Sequence, residues 1–254
     1  MHNELINKYT IILCGGRGNR LGSIAESIPK ALLKLHDKPI LWYTFFMLYK
    51  QGIRNFIFPL GYKGDMIKKY VSNEFNEFEC NFNFIETGED TPINLRLQKV
   101  VQLIPEHEDF FLINGDTFFD FNIQNMYRLH RRNNSLITLS SVEITPSYGI
   151  IIMKDGDLLG FSHKRKISHF SLDDNNTLQG YINAGLVWIN KDSLKLAEFG
   201  KEIDLEQQLY HKVIEMGKAS HYRIEGKWFA IDTQKDLNLI NSRSVRTNRT
   251  LEFL

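Results

Sequence analysis

A chain of 254 residues with 43 % hydrophobic and 24 % charged side chains can bury an ample core, as one large domain or two small ones. Its 31 basic and 30 acidic residues leave a formal net charge of +1, too weak a field to gather nucleic acid or an anionic membrane, so small-molecule partners are expected. Residues 1–9 hold no apolar signal core, no run approaches the roughly 20 apolar residues of a membrane helix, and Cys14 and Cys80 are too few for a disulfide scaffold or zinc site, which together predict a cytoplasmic protein with Cys14 as a buried thiol.

Taken in chain order, "YTIILC" (residues 9–14) reads as a buried strand, "KPILWYTFFMLYKQG" as a helix, "NFIFPLG" as a second strand and "KGDMIKKYVSNEF" as a second helix. "FNFIET", "INLRLQKVVQLI" and "DFFLING" continue the alternation as strand, helix and strand. Apolar strands separated by amphipathic helices predict an α/β fold, a three-layer, Rossmann-like, mostly parallel sheet covered on both faces. Ligands then belong at the carboxyl ends of the strands. Beyond residue 135 the rhythm changes: a strand "LITLSSVEI", a hairpin "GIIIMKDGDLLGF" turning at Asp155–Gly156, and a strand "INAGLVWI". A helix "DLEQQLYHKVIEMG", a strand "KWFAI" and a terminal helix from near Gln234 complete the chain. A single domain is expected over residues 1–254, with residues 1–135 as the α/β half, residues 136–232 as a smaller β portion walling the pocket, and residues 233–254 as C-terminal helix and tail.

The loop after the first strand, "ILCGGRGNRLG" (residues 12–22), carries Gly15, Gly16 and Gly18, whose backbone can approach a ligand closely and whose amides can form a nest for phosphate oxygens. The P-loop pattern fails, because its Lys-Ser/Thr slot reads Arg20-Leu21. The dinucleotide fingerprint fails as well, with Leu21 where its third glycine belongs and no carboxylate placed for a ribose after "FPLGYKG". A second cationic stretch, "IPKALLKLHDKPIL", puts Lys30 ten residues after Arg20, so one loop can hang two cations over the same phosphates. Asp116 and Asp232 each follow an apolar strand and can offer hard oxygen ligands at strand carboxyl ends.

These residues carry a resemblance. "LCGGRGNRLGSIAESIPKALLKLHDKPIL" resembles the L-x-GG-x-G-T-R-L…PK-x-x-x-P signature of the sugar-nucleotide pyrophosphorylases, which join a nucleoside triphosphate to a sugar 1-phosphate and release pyrophosphate. "LINGDTFFD", "YGIIIMKDGDLLGFSHK", "YINAGLVWI" and "GKWFAIDTQKDL" resemble further family segments in the same order. The resemblance implies that Arg20 stabilises the leaving pyrophosphate and Lys30 the α-phosphate. Leu13, Gly15, Gly16, Gly18, Asn19 (in place of the signature threonine), Arg96 and Gly115 would bind the nucleotide, and Asp116 and Asp232 would share Mg²⁺. Residues 1–135 become mainly the nucleotide half and residues 136–232 mainly the acceptor half, with Tyr148, Gly149, Lys164, Asn183 and Gly185 on the acceptor.

"LGYKGDMIKKYV" and "IETGEDTPINLRLQKV" are similar to the glucose-1-phosphate cytidylyltransferases, which implies CTP as the donor. One family motif departs: Glu-Lys-Pro reads His163-Lys164-Arg165 here, which removes a hydroxyl acceptor, adds donors and favours an acceptor bearing a carboxylate. The chain also resembles the cytidylyltransferases of capsule phosphoramidate synthesis, which implies L-glutamine phosphate as acceptor. A sugar 1-phosphate served by a cytidylyl, guanylyl or uridylyl enzyme, and an inactive regulatory subunit, stay open beside it, as does a homo-oligomeric state.

Overall fold

The computed structural model describes residues 4–18, 21, 24–143, 150–154, 157–162, 169–171, 177–179, 181–200, 204–231 and 233–242. Its first half runs β1 (Tyr9–Leu13), α1 (Ile24–Ser27), β2 (Lys34–Leu35), β3 (Lys38–Pro39), α2 (Ile40–Lys50), β4 (Asn55–Leu60), α3 (Gly64–Glu74), β5 (Asn81–Glu86), α4 (Ile93–Val100), β6 (Asp109–Asn114), β7 (Thr117–Phe119) and α5 (Ile123–Arg132). The second half runs β8 (Ile137–Val142), β9 (Ile150–Lys154), β10 (Asp157–Ser162), β11 (His169–Ser171), β12 (Thr177–Gln179) and β13 (Ile182–Asn190). A π-helical turn (Glu206–Tyr210) leads into α6 (His211–Glu215), followed by β14 (Ala219–Arg223), β15 (Trp228–Ala230) and α7 (Gln234–Ser242).

Seven strands form the central sheet in the order β14-β8-β13-β6-β1-β4-β5. All neighbours pair in parallel except β13, which runs antiparallel to both β6 and β8. The expected three-layer α/β arrangement is therefore present, and β8, β13 and β14 extend the same sheet. Alternation sorts the strands' side chains between two faces. Ile12, Phe56, Phe58, Phe111 and Ile113 join α2, α3 and α5 in one core, while Ile11, Ile57, Phe110 and Leu112 join α4 and the turn before α6 in the other. The first core is aromatic: the Phe45 and Phe75 rings stack at 4.0 Å, with Phe56 edge-on to Phe45 at 5.0 Å. Pro39 and Pro92, at the N-caps of α2 and α4, hold extended backbone before each helix, so the sharp entry is built into the chain.

Besides the short α1, β2, β3, β7, β11 and β12, the longer α5 and β14 escaped the reading of the sequence. In α5, Ile123, Met126, Tyr127 and His130 are buried at helical spacing and the Asn122 side chain caps the Asn125 amide at 3.2 Å, a signal masked by the charged residues between them. In β14, "ASHYR" lies at the sheet edge, where half-exposed polar residues leave no apolar run to detect. The expected hairpin is seen as β9 paired antiparallel with β10, its turn at Asp155–Gly156 lying outside the described residues. Among the described residues no helix is long and apolar enough to cross a membrane.

At the amino end of β6, on the edge away from the loops described below, Asp109 is almost fully buried. Asn190 Nδ2 donates to it at 2.9 Å, Arg131 Nη1 at 3.2 Å and the Tyr127 hydroxyl at 3.3 Å, with His130 Nε2 3.3 Å away. Burial pushes the carboxyl up, but hydrogen bonds from His130 and Asn190 and the charges of His130 and Arg131 outweigh it and hold it at about 2. Because that value lies below the ordinary value of about 3.9, the contribution to stability is complete above pH ~4 and fades as pH falls toward 2. Asp109→Asn is expected to cost about 2 kcal/mol in urea unfolding at pH 7 and about half as much near pH 3. An equal penalty at both pH values would contradict this account.

Candidate active site

Strand order turns around between β1 and β6. The chain proceeds from β1 to β4 and β5 through α2 and α3 on one face, then returns through α4 on the other face to β6 on the opposite side of β1. The loops leaving β1 and β6 thus diverge from neighbouring strands and leave a crevice, the place where open α/β sheets bind ligands. They stay stapled at the base, where the Gly115 amide donates to the Leu13 carbonyl at 2.9 Å. Above that staple a cavity of about 560 Å³ is lined by Leu13, Gly16, Gly18, Lys30, Gly115 and Asp116, among others. Lys30 opens a short 3₁₀ turn after Pro29, and its Nζ meets Asp116 Oδ2 at 2.5 Å, with only 16 % and 23 % of the two side chains exposed. A cation and an acid predicted from separate motifs are thereby brought together.

Two arginines brace the glycine-loop side. Arg96 is buried beneath the glycine loop, and burial pulls its pKa down. Its guanidinium donates to Thr87 Oγ1 at 2.6 Å and to the carbonyls of Thr91 (2.7 Å), Glu89 (2.8 Å) and Leu60 (3.3 Å). A Cβ at Gly15 would lie 2.4 Å from Arg96 Nη1 and one at Gly61 2.2 Å from it, so both glycines are required by this close approach. Arg96 therefore acts here through the backbone that it holds. Arg17, which sequence reading passed over, lies over the Tyr62 ring at 4.8 Å and donates to Asp90 (2.7 and 3.1 Å) and Glu89 (2.8 Å). Beside them Cys14 is buried as expected, its thiol pushed up to about 12 by that burial, which keeps it protonated.

On the other side, β13 bulges against β8 between Asn183 and Val187. Gly185 has a φ of +74° and packs so closely on Asn114 that a Cβ would meet Nδ2 at 2.6 Å. Asn183 Oδ1 accepts from the Gly185 amide at 3.0 Å and its Nδ2 donates to Glu206 Oε1 at 3.2 Å. A second cavity of about 560 Å³ lies here and shares Leu13, Ile93 and Asn114 with the first. Neither Ile93, with half its surface exposed in the cleft, nor Glu206 was singled out from the sequence. Finally, β15 pairs with β7, Ala230 opposite Thr117, and the Ile231 amide donates to the Asp116 carbonyl at 3.2 Å. Asn19, Arg20, Tyr148, Gly149, Lys164 and Asp232 lie outside the described residues.

Comparison with known proteins agrees with this geometry. The sequence profile of the Nucleotidyl transferase family matches residues 9–242. The chain is similar to the D-glycero-alpha-D-manno-heptose 1-phosphate guanylyltransferase of Aneurinibacillus thermoaerophilus, at 30 % identity over 80 % of this chain and 83 % of that protein. It is similar to the glucose-1-phosphate cytidylyltransferase of Salmonella typhimurium, at 26 % identity over 89 % and 91 %. Among solved structures, HddC from Yersinia pseudotuberculosis complexed with GMP-PN shares the fold, with a TM-score of 0.66 and 22 % identity over 92 % of this chain and 98 % of that one. With the profile spanning nearly every described element and the glycine loop facing Asp116 across the switch point, the chain belongs to the nucleotidyl transferase family.

Proposed function

We propose that the protein is a Mg²⁺-dependent cytidylyltransferase that works in the cytoplasm on CTP and L-glutamine phosphate, for capsule polysaccharide synthesis. An oxygen of the acceptor phosphate attacks the α-phosphorus of CTP, a new P–O bond forms in line with the one that breaks, and the bonding pair leaves with pyrophosphate. The observation that carries this reading is the Lys30–Asp116 pair in the cleft beside Gly16 and Gly18. Such a reaction needs no protein nucleophile; it needs anion repulsion offset and two phosphates held in register.

The donor set fits a hard cation bound together with substrate. Asp116 offers carboxylate oxygens inside the cavity, and the Ile231 amide bond brings the chain that precedes Asp232 against it. One or two carboxylates plus substrate phosphates are the usual holding for Mg²⁺, which when bound neutralises phosphate charge. Lys30 and Arg20 add fixed positive charge on the α-phosphate and the leaving pyrophosphate, and the amides of Gly15, Gly16 and Gly18 add neutral donors. Lys164 would grip the acceptor phosphate. CTP is supported by the "GYKG" and "RLQKV" segments and by likeness to the Salmonella enzyme. A guanylyltransferase acting on a sugar 1-phosphate is the second reading, favoured by the 30 % identity to the heptose-phosphate enzyme.

Asp116→Asn and Asp232→Asn are each expected to lower turnover by at least about a hundredfold with circular dichroism unchanged, since buried area barely alters. Near wild-type turnover at saturating Mg²⁺ would refute the shared metal. Arg20→Ala and Lys30→Ala should each remove roughly 2–4 kcal/mol of transition-state stabilisation, read as kcat/KM. An effect confined to the acceptor's KM would contradict their placement on the nucleotide. The identity of both substrates is tested by pyrophosphate release from CTP, UTP, dTTP and GTP against L-glutamine phosphate and glucose 1-phosphate. CTP with L-glutamine phosphate should lead; equal release from UTP, or turnover of the sugar alone, would overturn the corresponding half of the assignment.

A further inference from the structure

We propose that Asn114 holds the ribose of the nucleotide, and that its side-chain amide makes the protein prefer ribonucleotides to 2′-deoxyribonucleotides. The inference rests on a nucleoside triphosphate as donor.

A third cavity, of about 430 Å³, lies against the glycine loop and is lined by Gly15, Gly16, Arg17, Glu89 and Arg96, among others. The loop therefore borders the first and third cavities, whereas the second touches none of residues 14–18. A nucleotide that lies along the loop with its triphosphate beside Lys30 sends its base into the third cavity and leaves the second to the acceptor. Leu13, Ile93 and Asn114 border all three cavities and so mark the place where they meet. The part of a nucleotide that joins base to phosphates, and belongs at that place, is the ribose. Leu13 and Ile93 offer it apolar contact, and Asn114 alone of the three has a side chain that hydrogen-bonds.

Asn114 is the exposed last residue of β6, two positions before Asp116, and follows five buried residues. Its amide packs against Gly185, where a Cβ would stand 2.6 Å from Nδ2, so the bulge in β13 makes room for it. Among the described residues that amide makes no hydrogen bond, although Asn94 and Asn183, on either side of the cleft, are both tied to the chain. A donor and an acceptor on one planar group match two adjacent hydroxyls, each of which gives and takes a hydrogen bond. The 2′,3′-diol of ribose is such a pair. A phosphate would use the donor alone, and a 2′-deoxyribose forfeits one of the two bonds.

The experiment measures dissociation constants by isothermal titration calorimetry for CTP, UTP and GTP and for their 2′-deoxy counterparts, on wild type, Asn114→Leu and Asn114→Ala. On wild type the ribonucleotide that binds best should bind at least about fivefold tighter than its deoxy form, the loss of one hydrogen bond. Asn114→Leu keeps the side-chain bulk and removes both hydrogen-bonding atoms, so that ratio should fall to about one. A merely structural role would weaken both sugars equally and keep the ratio. Equal binding of the two sugars by wild type, or a ratio that survives in both variants, would overturn the role of Asn114 while the nucleotide assignment stands. A failure of CTP as donor shows instead as another base leading the series, and the ratio then decides on that pair. No binding of any nucleotide would overturn the donor reading and this one with it. Were Asn114→Leu to fail to fold, Asn114→Ala and the wild-type ratio still decide the matter.

Discussion

The contact between Lys30 and Asp116 is the point on which the rest of the site turns. Each is mostly withdrawn from water, and an opposite charge within hydrogen-bond reach offsets part of the cost of that desolvation. Together they place a cation and an anion side by side in the cleft. Their meeting depends on the fold: Lys30 is delivered by the turn after Pro29 and Asp116 by the carboxyl end of β6, two segments 86 residues apart. What joins them is the reversal of strand order between β1 and β6, which makes the loops of neighbouring strands part company just above the Gly115–Leu13 staple.

Rigidity around that contact comes from side chains spent on backbone. Arg96 holds four oxygens of the β4 and β5 ends and fills the space that Gly15 and Gly61 leave by having no Cβ. Arg17 ties the top of the same loop to Glu89 and Asp90. Donor groups fixed before a substrate arrives need no reorganisation as charge develops, which is where most electrostatic catalysis originates. Gly15 and Gly61 thus make room for the guanidinium that stiffens the loop from below.

How much of this could be read in the sequence follows from the range of the forces involved. Strands β1, β4 and β6 were legible because burial on both faces demands unbroken apolar runs, and α2 and α4 because helical period and a preceding proline are local signals. The glycine loop that follows β1 was legible for the same local reason. Strand β14 was not, since an edge strand needs apolar residues on neither rim, and α5 was obscured by exposed basic residues between its four buried positions. Arg96 was located but its surroundings were not: that its donors face Thr87, Leu60 and Glu89 depends on the pairing of β4 with β5. Glu206 was invisible because its meaning lies in a partner on β13, 23 residues away along the chain, and in a cavity that no single segment encloses.

The two cavities, taken together, divide the cleft by charge. The first presents a glycine-rich loop and the paired Lys30 and Asp116. The second presents Asp204 and Glu206, both exposed, beside the apolar Leu112 and Val187. Between them stand the neutral Leu13, Ile93 and Asn114, common to both. The charged side chains that line the cleft thus change from a paired cation and acid at one end to two acids at the other, a difference that arises because strands and turns distant in the chain meet around one opening.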